Sequence, residues 1–86
     1  MQVIAIHEVD DVDHWFNSPK RAEFFEPLGM KAIAFRDPEG GSALTAVLIE
    51  APDMETLQTA LDSDEARQAM QHDGVRPETL KMFVAG

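Results

Sequence analysis

Residues 30–49, MKAIAFRDPEGGSALTAVLI, contain two strand-like runs joined by five turn-forming residues. In Met30–Arg36, Lys31, Ile33 and Phe35 share one alternation phase while Met30, Ala32, Ala34 and Arg36 share the other. The second run, Ala43–Ile49, is apolar on both phases. A strand with one face in water alternates, so a run apolar on both phases is expected to be covered on both sides. The link Asp37-Pro38-Glu39-Gly40-Gly41 is turn chemistry throughout, with proline presetting φ and glycine supplying positive φ. The stretch therefore predicts a β-hairpin.

Working outward, Val3–Ile6 is another run apolar on both phases, and Leu80–Val84 is also strand-like. Between the first two strands, Val12, Trp15 and Phe16, then Ala22 and Phe25, follow helical spacing. Asp11 suits the N-cap and Asp13 the first turn, where a negative charge complements the helix dipole. Pro19 removes a helical hydrogen bond, but Ser18-Pro19 is also a cap followed by proline at the first helical position. The spacing predicts a broken helix, its first piece ending near Asn17 and its second running from Pro19 to about Glu26, stopped by Pro27 and Gly29. After the third strand, Asp53 begins a helix with Met54, Leu57 and Leu61 on its apolar side. Ser63 caps a further piece over Asp64–Met70. Gly74 then serves as the left-handed terminator, with Val75 closing on Met70.

The order is β-α-β-β-α-β, which predicts an α+β, ferredoxin-like domain over residues 1–86: a four-stranded antiparallel sheet with two broken helices on one face. The other face would be bare in one chain, although the first and third strands are apolar towards both sides. A second copy, sheet against sheet, is the expected partner. It would also support a chain of 86 residues that has no cysteine to staple it.

Sixteen acids against seven lysines and arginines give a formal charge of −9. That field, with no basic stripe or patch, argues against nucleic acid and against an anionic membrane surface as partners. The apolar runs are strand-sized and far too short to span a bilayer. The opening MQVIAIHEVD has neither the basic nor the apolar segment of a secretion signal, so the cytoplasm is the expected location.

Ionisable groups crowd residues 7–16, HEVDDVDHWF. His7 falls on the phase of Val3, Ala5 and Val9, where a neutral imidazole can act as a general base. The plainer role is a core histidine bonded to a backbone carbonyl or a carboxylate. Trp15 is expected on the sheet-facing side of its helix, as core and as one wall of a pocket for a planar ligand, with Phe25 as another wall. Arg36 is placed either to hold a substrate carboxylate or to pair with Asp37 or an acid of a partner chain. His14 lies about 100° around the helix from Trp15 and is expected in solvent, and His72 sits in the last helical turn, where a cation is favoured. No HxH, HxxxH or HxxE spacing occurs, so no metal is expected. A cysteine nucleophile, a tyrosine, G-x-S-x-G, G-x-G-x-x-G and a P-loop are all missing from the chain, and no cofactor is expected.

Two stretches carry a resemblance. His7-x-Val9-x-Asp11-x-Asp13-x-Trp15, and Ser63-x-x-x-Arg67-x-Ala69-Met70-x-x-x-Gly74-Val75-x-x-x-x-Thr79 with Pro77-Glu78, resemble small proteins of the dimeric α/β-barrel superfamily. The likeness is greatest to its antibiotic-biosynthesis-monooxygenase-like and cyclase-like members. It implies a homodimer whose sheets form a barrel, with a small apolar pocket in each subunit between sheet and helices. His7, Asp11, Asp13 and Trp15 match the motif, whereas Pro19 inside the first helix departs from it. The superfamily includes cofactor-independent oxygenases, cyclases, isomerases and haem-degrading enzymes, and no catalytic set of these maps onto this chain residue by residue. A shared fold carries no activity with it. Two functions are therefore expected from the sequence. One is binding or conversion of a small planar organic molecule, with His7 as the polar group and no cofactor. The other is a non-catalytic ligand-binding or dimerisation module.

Overall fold

The computed structural model describes residues Met1–Gly86. In chain order it contains β1 (Gln2–Glu8), α1 (Val12–Asn17), α2 (Lys20–Phe25), β2 (Lys31–Arg36), β3 (Leu44–Glu50), α3 (Met54–Leu61), α4 (Asp64–Asp73) and β4 (Lys81–Val84). The strands form one antiparallel sheet in the order β2-β3-β1-β4, the ferredoxin-like arrangement. No helix is long and apolar enough to cross a membrane.

Local chemistry sets the helix ends. The Asp11 carboxylate accepts the His14 N–H at 3.1 Å and starts α1. Ser18 then ends α1, and its hydroxyl accepts the Lys20 N–H at 3.2 Å to begin α2, which turns the chain at Pro19. A single turn over Glu26–Leu28 and Gly29, at φ 72°, lead into β2. Asp53 caps α3 and Ser63 caps α4. At the end of α4, Gly74 takes φ 71°, its N–H donates to Gln71, and the Val75 N–H reaches back to the Met70 carbonyl at 3.0 Å. That is the Schellman closure expected of the sequence.

Register divides the sheet into two faces. Val3, Ala5 and His7 on β1 pair with Ile49, Val47 and Thr45 on β3, and all six are buried under the helices with Val9. Trp15, Phe25, Leu57 and Ala66 close the core from the helical layer. The opposite phase carries Ile4, Ile33, Phe35, Leu44 and Phe83, each exposed by 41–50%. Both faces of the sheet are therefore apolar, and one is bare in a single chain.

The far end of β1 is tied to the end of α4. Val9 bridges Val75, and the Asp10 N–H donates to the Gly74 carbonyl at 2.9 Å. Arg76 adds ion pairs to Asp10 at 2.9 Å and Glu8 at 3.2 Å. These bonds set the last turn of α4 beside His7.

Candidate functional site

A cavity of about 90 Å³ lies between the sheet and the helices α2 and α4. A single water needs roughly 10–15 Å³, so the space suits a small ring. Its lining is mainly apolar, and four polar side chains border it: His7, Lys20, Arg21 and Asp73. Trp15 and Phe25 are among the residues that line it.

His7 enters from the centre of the sheet. Its Nδ1 lies 2.8 Å from the Thr45 hydroxyl oxygen, which in turn lies 2.9 Å from the His7 carbonyl oxygen. A hydroxyl has one proton to give, and the carbonyl can only accept. The arrangement that satisfies both contacts has Thr45 donating to the carbonyl and Nδ1–H donating to Thr45. Nε2 then carries the lone pair. It makes no hydrogen bond to the protein and is not sealed from the cavity. Burial lowers the pKa of His7 below its ordinary 6.5; its own backbone carbonyl opposes the shift and the Arg21 charge adds to it. At neutral pH the ring is uncharged, with a basic nitrogen at the cavity.

Trp15 stands edge-on to His7, with ring centroids 5.4 Å apart at 86°. Its other neighbour is Arg21, whose guanidinium carbon lies 4.4 Å from the indole centroid while Nη2 donates to the Trp15 carbonyl at 2.9 Å. Burial lowers the Arg21 pKa, and the Asp73 charge opposes that shift. A guanidinium remains charged throughout the physiological range. Asp73 is 5% exposed, and its Oδ1 accepts from His72 Nδ1 at 2.8 Å. The cavity thus has a neutral base, a cation and a carboxylate around an apolar interior.

Arg36, expected at the pocket, is not among the residues that line this cavity. It points instead towards α1, 4.6 Å from the Phe16 ring centroid, and pairs with Asp13 at 3.4 Å. Its place on edge strand β2 carries it away from the β1–β3 centre. Nor is its partner Asp37. His14 is exposed as expected, but its Nε2 also lies 2.8 Å from the His72 carbonyl.

Arg21 and Asp73 are site residues that the sequence reading passed over. Each had a signal. Arg21 precedes Phe24 and Phe25 by three and four positions, and Asp73 continues the stripe Ala66, Ala69, Met70. A charged residue on an apolar helical stripe is the informative exception to burial patterns.

No family model matches the chain, and no curated protein matches it. Among solved structures, it is similar to one described as an antibiotic biosynthesis monooxygenase. Identity there is 16%, coverage 99% of this chain and 97% of that one, and the TM-score 0.62. It is also similar to a candidate antibiotic biosynthesis monooxygenase from Deinococcus radiodurans, at 14% identity, 100% and 93% coverage, and a TM-score of 0.56. The likeness is one of fold, end to end.

Proposed function

We propose that the protein is a homodimer, joined sheet to sheet, in which each protomer binds a small planar organic molecule between sheet and helices and uses His7 as a proton acceptor. The observation that carries this reading is the open Nε2 of His7 beside Trp15 and Arg21. A planar phenol or enol, still protonated at neutral pH, would present its O–H to Nε2, and Arg21 would favour the anion that forms. Proton transfer, or oxygenation without a cofactor, is the chemistry these groups suit. The structural likeness to proteins described as antibiotic biosynthesis monooxygenases supports the same reading. The dimer is supported by the bare apolar face, since contiguous exposed apolar surface of this kind marks an interaction site.

A second reading is favoured by the Thr45–His7 bond, which satisfies a buried histidine without any chemistry. The domain would then be a binding or dimerisation module. Thermal-shift screening with a panel of planar phenols and enols separates a site built on His7 from a dimerisation module. The proposal predicts at least one compound that raises the melting temperature of the wild type and fails to raise that of His7→Gln. If no compound moves either protein, the module reading stands.

A further inference from the structure

A second cluster lies at the outer side of α4's last turn. His14 from α1 meets His72 and Asp73 there, and one ligand-type atom from each lies within 4.8 Å of the other two. The two imidazole rings are 5.2 Å apart, centroid to centroid, at 37°. His72 Nδ1 is already 2.8 Å from Asp73 Oδ1. His14 Nε2 is 2.8 Å from the His72 carbonyl oxygen. In both contacts the oxygen can only accept, so each imidazole must hold its proton between itself and an oxygen.

We propose that these residues form a site for a borderline divalent transition cation of the zinc class, held by His14, His72 and Asp73. Four observations support it together. Two nitrogens and a carboxylate oxygen make the mixed donor set that such cations take, and three protein ligands leave a fourth position for water. The ring protons occupy places where a cation would sit, and both histidines are exposed, so each can move its proton to the solvent-side nitrogen when a metal arrives. Asp73 is buried and supplies a charge already fixed in position. The cluster sits at the C-terminal end of α4, where backbone carbonyls and the helix dipole favour positive charge, on a chain of net charge −9.

The adjustment needed is small. Tetrahedral bonds of about 2.0–2.1 Å put ligand atoms roughly 3.3 Å apart. His72 Nδ1 and Asp73 Oδ1, at 2.8 Å, would part by about 0.5 Å as the shared proton leaves, and the exposed His14 ring would swing in to complete the set. Its ligands come from two helices 58 positions apart, which is why no short spacing in the sequence announces the site. The same Asp73 borders the cavity, so an occupied site would place a fixed cation beside the pocket.

The test is isothermal titration of the intact protein with Zn²⁺, repeated with Co²⁺ while its visible absorption is followed. The expected result is saturable binding at one ion per chain, with Co²⁺ bands of low-coordinate, nitrogen-containing ligation. His14→Ala and His72→Ala should each weaken binding about tenfold or more. Both side chains are exposed, so these variants keep the fold, and unchanged thermal melting without metal verifies that. Excess Mg²⁺ should not displace the ion, because it prefers all-oxygen octahedral sites. Absence of saturable binding would overturn the proposal. So would wild-type affinity retained in both histidine variants, or displacement by Mg²⁺, either of which assigns the ion to surface carboxylates.

Discussion

The Thr45 hydroxyl bridges two atoms of His7, taking the ring Nδ1–H at 2.8 Å and giving its own proton to the His7 carbonyl at 2.9 Å. One hydroxyl thereby fixes both the tautomer and the ring direction of the buried imidazole on the helix-covered sheet face. Thr45→Val keeps the shape and removes the acceptor. It should destabilise the protein by about 1–3 kcal/mol, the cost of an unsatisfied buried donor, read from urea unfolding. Imidazole nitrogen chemical shifts should move from a single Nδ1–H tautomer to a mixture. A Thr45→Val protein with unchanged shifts would show that Thr45 does not orient the ring.

His7 also ties stability to pH. Its folded pKa lies below the unfolded value of 6.5, so between the two the unfolded chain binds more protons than the folded one. The contribution of neutral His7 is complete above pH 6.5 and is lost as pH falls from there through the folded value. Unfolding free energy should decline in that window in the wild type and decline less in His7→Gln. A parallel decline in the two proteins would assign the acid sensitivity to the carboxylates.

Gly74 meets two constraints at once. Its φ is 71°, and a Cβ built there would stand 3.3 Å from the Cβ of Asp10. Gly74→Ala should cost about 1–3 kcal/mol through the left-handed backbone and the crowded contact. It should also loosen the link between β1 and α4 that sets Asp73 beside the cavity. Amide exchange at Asp10 and Val75 is the direct check, with faster exchange expected; unchanged protection would refute the link.

The bare sheet face predicts assembly. Sedimentation at micromolar concentration should find a dimer, and Phe35→Glu, which places a charge on edge strand β2 within that face, should give a folded monomer. A wild type that sediments as a monomer at that concentration removes the dimer from this account.

Most of the fold was readable because its signals are local. The turn residues 37–41, the Asp11, Asp53 and Ser63 caps, the break at Pro19 and the Gly74 stop each act within a few residues, and each element formed where its own chemistry directs. Phase also placed His7 and Trp15 correctly, since a strand or helix face follows from periodicity alone. Arg36 was harder. Its phase turns it towards the helices, but strand order decides that β2 lies at the sheet edge, and strand order is a long-range property. Thr45 lies 38 positions from His7 and becomes its partner only through register. Arg21 and Asp73 were visible as charges on apolar stripes, yet their convergence depends on α2 packing against α4, which no short spacing records.

His7, Trp15 and Arg21 together make up the proposed binding site, and Trp15 is the chain's only tryptophan, so its fluorescence reports on that site alone. Titration of the wild type with a planar phenol or enol drawn from the thermal-shift panel should give a saturable change in Trp15 emission. His7→Gln and Arg21→Gln should each weaken that binding, by about tenfold for loss of a hydrogen-bonding or charged partner, while Arg36→Gln leaves it unchanged. Trp15 emission that stays flat across the panel would overturn the site, as would an Arg36→Gln variant that weakens binding as much as Arg21→Gln does.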